Sequence, residues 1–450
     1  MKRKLISLII ILPMFVASAF VVSACVNRSF FHIENNEILR LTELGRQQST
    51  IVIPASVTRI SEFAFYRTTN LTNIRFQARS RLTSIGRNAF YGSNLTSITI
   101  PSSVTYIGDL AFYNTSSLTT VTFGRSSQLT NIGRFAFSGA SNLTSITIPS
   151  SVIDIGQGVF TRTTSLSAIN VDSASTHFVS IGGIVYDKEI TTMIAAPGGM
   201  TTVAIPSTVT GIAWRAFYGA TNLTNVTIPA SVTIIGASAF ENATNLTSIV
   251  IPATTTAIGS RAFAGATNLT TVTFEEGSQL ESISYLMFLN AINLTNIVIP
   301  VSVTNIDVGA FRGVVSLTSI TIPASVISIG RQAFGGTTGL TDVVFEANSQ
   351  LTSIGELAFL DATNLRNMSI PSSLESIGNN AFSGTVGLTS ITIPYSVTRI
   401  GIGAFRNWTD RQTIYVEGRT ARLVDPDDVR FGAWHFQWLS GSNANVVWLG

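Results

Sequence analysis

The 450-residue chain is poor in the side chains that covalent and metal chemistry need. Its one cysteine, Cys25, excludes a disulfide scaffold and a cysteine-built metal site. The three histidines, His32, His177 and His435, form no pair at i, i+4. There is no phosphate-cradling loop ending in Gly-Lys-Ser/Thr and no Gly-x-Ser-x-Gly elbow. The sequence therefore gives no catalytic constellation, no metal site and no reason to expect a cofactor. Charge is scarce as well: 11% of residues are charged, against about 25% in an average protein. After Lys4 the only lysine is Lys188, and the arginines are scattered rather than clustered. That distribution argues against a nucleic-acid interface. With 35 glycines and 13 prolines the chain is neither collagen-like nor a low-complexity linker.

What is present begins with an export address. Lys2-Arg3-Lys4 precedes an apolar run, Leu5 to Val22, interrupted by Pro13. Val22-Ser23-Ala24-Cys25 follows. A basic start, an apolar stretch and small residues before a cut define a secretory signal. The ending resembles the bacterial lipoprotein lipobox. The resemblance implies cleavage after residue 24, a lipid on Cys25, and attachment to the outer face of the cytoplasmic membrane or to the outer membrane. An ordinary cleaved signal and an uncleaved anchor are the plainer alternatives, and both also place the remainder outside the cytoplasm. The formal charge of +3 belongs wholly to Lys2, Arg3 and Lys4; beyond them 24 basic residues face 24 acidic ones.

The rest is a repeat. A phenylalanine landmark recurs at Phe65, Phe90, Phe112, Phe137, Phe160, Phe217, Phe240, Phe263, Phe288, Phe311, Phe334, Phe359, Phe382 and Phe405. Ten of the 13 prolines follow isoleucine. Leu95 to Phe112 displays the unit: Leu-Thr-Ser-Ile-Thr-Ile-Pro-Ser-Ser-Val-Thr-Tyr-Ile-Gly-Asp-Leu-Ala-Phe. Alternation places Leu95, Ile98 and Ile100 inward and Ser97 and Thr99 outward on a short strand. Pro101 stops the ladder, because it has no N–H to donate. Val104 and Ile107 form a second inward set, Gly108 permits a bend, and Ala111-Phe112 closes the core from a short helical turn. One unit cannot bury this face alone, so neighbours must stack into a quasi-linear array.

The Leu-x-x-Ile-x-Ile strand with its Ile-Pro, Ile-Gly and Ala-Phe landmarks resembles the BspA-like class of leucine-rich-repeat surface proteins, over Ile51 to about Arg406. The resemblance implies a β-rich α/β repeat solenoid. Its form is a right-handed superhelix with short strands on the concave face, and short helical turns and second strands opposite. The domains read as signal peptide 1–24, N-terminal cap 25–50, repeats 51–171, hairpin insert 172–199, repeats 200–407 and a Trp-rich cap 408–450. The insert, centred on Asp187-Lys188, reads as a structural interruption or a ligand-contact knob. Trp408, Trp434, Trp438 and Trp448 read as a lid on the open core or a sugar-stacking platform. Asp425, Asp427 and Asp428 lack EF-hand spacing.

Four units carry Phe76, Phe123, Phe274 or Phe345 in place of Ile-Pro and have two extra residues in the following loop. Arg79, Arg81 and Arg125 charge the first two loops; Glu275, Glu276 and Glu346 charge the last two. They read as solvated loops or as an oriented docking edge. The outward strand positions supply the candidate ligand-binding residues: Arg75, Ser97, Thr99, Thr120, Thr122, Ser145, Thr147, Asn225, Thr227, Thr271, Thr273, Ser319 and Thr321. Serine and threonine also simply suit exposed strands. The functional expectation is a lipid-anchored cell-surface protein that binds a surface or host protein or glycan, with adhesion as one use. A structural spacer of the envelope is the alternative.

Overall fold

The computed structural model describes residues 29–418, 434 and 437–450. Cys25 and the signal sequence, Asp425, Asp427, Asp428 and His435 lie outside the described residues. Two compact units divide between Val159 and Phe160. Each is a parallel-strand solenoid, and among the described residues the one α-helix is Glu43–Arg46.

In the first unit, long strands stack in parallel: Thr50–Ile53, Asn73–Phe76, Ser97–Ile100, Thr120–Phe123 and Ser145–Ile148. Short strands form a second ladder: Arg59–Ile60, Ser84–Ile85, Tyr106–Ile107, Asn131–Ile132 and Asp154–Ile155. The hairpin Phe31–Glu34/Glu37–Leu41 caps this unit, and its second strand pairs in parallel with Arg59–Ile60. Leu95, Ile98, Ile100, Val104, Ile107, Ala111 and Phe112 are buried, while Ser97 and Thr99 are exposed. The landmark phenylalanines stack face to face. Phe65, Phe90, Phe112 and Phe137 have successive centroid separations of 4.7, 5.1 and 5.2 Å. Phe31 closes the column edge-on at 6.3 Å from Phe65.

The second unit repeats the plan and contains the interruption. Phe178–Ile181, Ile184–Asp187 and Thr192–Ala195 form an antiparallel meander. Its last strand then enters the short-strand ladder beside Gly211–Ile212. Asp187 fixes the second turn by accepting from the Thr191 and Thr192 N–H groups and the Thr191 hydroxyl. Lys188 Nζ donates to the Ser175 carbonyl at 2.6 Å. The phenylalanine column runs from Phe217 to Phe405. Trp408 and Trp438 stand edge-on against Phe405, at 5.1 and 5.9 Å. The chain then adds a strand, Asn445–Leu449, in parallel with Thr413–Glu417.

The Ala-Phe segments are not helical turns. Two residues before and two after each landmark phenylalanine, the backbone is left-handed; around Phe112 these are Leu110 and Asn114, with φ of +58° and +53°. Between these two left-handed residues no φ is positive, and along the stretch every second N–H faces the next turn. Leu110, Phe112 and Asn114 therefore all donate forward, to the carbonyls of Arg134, Ala136 and Ser138, each at 2.8 Å. The residues between them fold back locally, as when Tyr113 N–H donates to the Leu110 carbonyl. This gives a third hydrogen-bonded ladder. It offsets a left-handed cost of about 1–2 kcal/mol per non-glycine residue. A propensity argument cannot see this arrangement, because the compensating bond comes from the next turn.

Gly108 likewise acts differently from the expectation. Its φ is not positive; instead, an added Cβ would stand 2.7 Å from the Arg87 nitrogen of the preceding turn. The glycine allows close stacking rather than a special bend.

Candidate functional site

The repeated hydroxyls fall into two classes. One class holds the turns together. Thr96 Oγ1 donates to the Thr72 carbonyl at 3.1 Å, and Thr119 Oγ1 to the Thr96 carbonyl at 2.9 Å. At the short strands Thr105 and Thr130 donate to the carbonyls of Thr83 and Thr105. Ser103 and Ser151 bond the Leu82 and Leu129 carbonyls, each at 2.7 Å. In the second unit Thr224, Thr270 and Ser231 do the same. A carbonyl has two lone pairs, so the oxygens bonded by threonine take a side-chain donor beside their backbone donor. The composition therefore reflects internal bonding as much as surface.

The other class faces outward. In the first unit Arg75, Ser97, Thr99, Thr120, Thr122, Ser145 and Thr147 all project from the long strands and are exposed. Register places Ser97 opposite Thr120 and Thr99 opposite Thr122. Thr120 pairs with Ser145. The Thr99 and Thr122 hydroxyls bond each other at 2.9 Å. In the second unit Asn225, Thr227, Thr273, Ser319 and Thr321 are exposed and Thr271 is partly so. There the face is more apolar, with Val250, Val298 and Val344 at 49%, 75% and 52% exposure. Asp342, also on this face, accepts from Thr341 and Asn367, and those bonds hold its carboxyl below the usual value.

In the first unit the long-strand face deepens into a groove of about 600 Å³ beside Phe76. The cause is a step between turns. The loop after Phe76 has two more residues than the one after Ile100-Pro101, and the groove is lined from both loops. Arg75, Arg79, Gln77, Ser97, Thr99 and Ser102 line the groove, and no carboxylate does. Gln77 Oε1 accepts from the Ala55 N–H at 3.0 Å. Sequence reasoning selected Arg75, Ser97 and Thr99 but missed Gln77, Arg79 and Ser102 as their neighbours. The signal was the 25-residue spacing, which marks each longer loop.

The acidic loops have a structural duty. Glu275 and Glu346 accept from the Ala253 and Ala324 N–H groups, at 3.1 and 3.0 Å, in the place of Gln77. The charge is also segregated. Residues 29–159 hold ten arginines against six Asp and Glu, and residues 160–450 hold 13 basic against 18 acidic residues. Overall neutrality conceals this division.

The tryptophans serve as a lid. Trp408 is 1% exposed, and its Nε1 donates to Thr385 Oγ1 at 2.9 Å. Trp434 is also buried and donates to the Val397 carbonyl at 3.1 Å. Trp438 is buried as well, so these three rings offer no stacking platform. Among the described residues no group of three or more metal-ligating side chains converges. Among them, too, no helix is long and apolar enough to cross a membrane.

Comparison with known proteins places these features in context. The model of the BspA type leucine rich repeat region matches residues 45–167, 196–314 and 281–412, in six copies. A leucine-rich repeat protein from Eubacterium ventriosum is 26% identical, with 82% of this chain and 87% of that one aligned and a TM-score of 0.57. A leucine rich cell surface protein from Faecalibacterium prausnitzii is 28% identical over 67% of this chain and 80% of that one, with a TM-score of 0.49. No curated protein matches the sequence.

Proposed function

Because the chain belongs to the BspA-type leucine-rich-repeat family, we propose that it is a bacterial cell-surface protein that binds proteins or glycans through its long-strand face, with adhesion as one outcome. One observation carries the reading. Many repeated hydroxyls are consumed between turns, yet the outward long-strand set stays exposed and in register. Away from Arg75 and Asp342 the named outward positions are uncharged and recognise by hydrogen bonding and shape. Each contact is then weak, and many copies on one surface raise the avidity. The reading assigns binding and not catalysis.

Attachment to the membrane through a lipid on Cys25 is part of the same proposal, supported by Val22-Ser23-Ala24-Cys25 at the end of the apolar run. Fatty-acid labelling of the wild type and loss of label in Cys25→Ser test it. Binding is tested by presenting the full chain, purified in detergent, to broad glycan and host-protein panels. Saturable binding weakened by Thr99→Arg and Thr122→Arg is expected. No binding on either panel, or indifference to both substitutions, overturns the reading in favour of an envelope spacer.

A further inference from the structure

We propose that the groove beside Phe76 binds a carboxylate-bearing sugar, such as a uronic or sialic acid residue of a glycan. This rests on the binding reading above and names its ligand class.

Two cations make the groove an anion site. Neither Arg75 nor Arg79 has an ion-pair or hydrogen-bond partner among the described side chains, and both line the groove. An unpaired guanidinium presents a planar fork that matches a carboxylate. Arg79 sits in the longer loop in a left-handed conformation, φ +59°. Arg75 rises from the strand below. The Gln77 carbonyl is engaged by Ala55, which leaves its NH₂ as a further donor. No lining carboxylate competes, and the surrounding unit is basic.

The pair is particular to this turn. In the other three long-loop turns the position of Arg75 holds Thr122, Thr273 and Val344, and that of Arg79 holds Ser126, Gly277 and Asn348. The repeat does not require arginine at either place. Solenoid packing therefore leaves these two side chains unexplained.

The rest of the lining points to a polyol. Ser97, Thr99 and Ser102 supply hydroxyls that can donate or accept. The half-buried Phe76 ring supplies an apolar surface for C–H groups. A volume of about 600 Å³ lies within the range of small-ligand sites, roughly 300–1,000 Å³. A peptide anchor would want an aromatic-sized, fully desolvated pocket, whereas this groove is open to solvent and as polar as it is apolar.

The test uses the full chain in detergent and calorimetric titration with galacturonate, glucuronate and sialic-acid oligosaccharides beside their neutral counterparts. At least one acidic oligosaccharide is expected to bind tenfold or more tightly than its neutral partner. Arg75→Gln and Arg79→Asn should each weaken it tenfold or more; asparagine suits the left-handed position. Arg125→Gln removes the same charge from the next long loop and should change affinity less than twofold. Equal affinity for acidic and neutral sugars, or indifference to both arginine substitutions, overturns the acidic-sugar proposal and leaves glycan binding standing. Binding only on the protein panel also overturns it, without touching the general reading. Self-association that Arg75→Gln abolishes, without any binding of acidic sugar, assigns the groove to a second copy and overturns it too.

Discussion

Trp408 reaches back one turn to Thr385: its indole N–H donates to the threonine hydroxyl at 2.9 Å and also to the Phe382 carbonyl at 3.2 Å. In earlier turns, such as those of Thr115 and Thr337, the same threonine position only bonds the landmark phenylalanine carbonyl three residues before it. Thr385 keeps that bond, donating to the Phe382 carbonyl at 2.8 Å, and the cap adds a donor shared by both oxygens. Trp408→Phe keeps a ring against Phe405 and leaves Thr385 bonded to the Phe382 carbonyl, but it removes the added donor, at a cost of about 0.5–1.5 kcal/mol. Stability in a stacked array is close to a sum of neighbour terms. Hydrogen exchange should therefore accelerate around residues 382–417 and stay unchanged near Phe217. Uniform acceleration along the second unit would refute this local view.

The two hydroxyl classes predict opposite sensitivities. Thr96→Ala removes a bond between turns and should cost about 1 kcal/mol. Thr147→Ala trims an exposed side chain with no partner among the described residues and should stay within about 0.5 kcal/mol. Thermal melts of the two variants, run side by side, decide it.

Glycine substitutions separate close packing from spare room. Gly108→Ala forces a Cβ against the Arg87 backbone, at 2.7 Å, and should destabilise by about 1–3 kcal/mol, as overpacking does. Gly211 has nothing within 4 Å of the same atom and no positive φ. Gly211→Ala should therefore be neutral or stabilising by up to about 1 kcal/mol. A lower melting temperature for Gly211→Ala than for Gly108→Ala would contradict the packing account.

Asp307 occupies the position that holds glycine in most turns, and burial raises its carboxyl above the ordinary value. A carboxyl raised on folding holds its proton more tightly in the folded chain. Stability then falls as pH rises from the unfolded value through the folded one, and the loss persists above that. Asp307→Asn should melt higher than wild type at pH 7, and the difference should vanish once pH drops below the ordinary carboxylate range. A difference independent of pH would show that the effect is not ionisation.

Much of the architecture is legible because the repeat states each inward position many times. Leu95, Ile98, Ile100 and Phe112 need only alternation and spacing to be placed. The Ala-Phe turns were not legible. Non-glycine residues as bulky as Phe63, Leu110 and Phe135 adopt left-handed backbone there, which local propensity counts against. The compensation is the hydrogen bond that each of these N–H groups donates to a carbonyl more than 20 positions ahead. The candidate face was readable as a row of outward residues. The groove was not, since it depends on a loop-length step between two particular turns. Nor could sequence separate Thr96 from Thr99, because both are threonines three residues apart and only the corner just before Ser97–Ile100 decides which hydroxyl bonds the neighbouring backbone.

The forward-pointing N–H groups of the phenylalanine turns give the array a grammar of start and stop. Within each compact unit a turn such as that of Phe90, Phe112, Phe240 or Phe359 accepts from behind and donates ahead, so a duplicated repeat can be spliced between two such turns without leaving these bonds unmade. The two termini enjoy no such freedom. The last phenylalanine turn must find acceptors, and Gly403 and Asn407 find them in the carbonyls of Gln437 and Gly441. Lengthening by recombination is thereby inexpensive in the interior, whereas losing the final segment strands donors that no solenoid turn remains to receive.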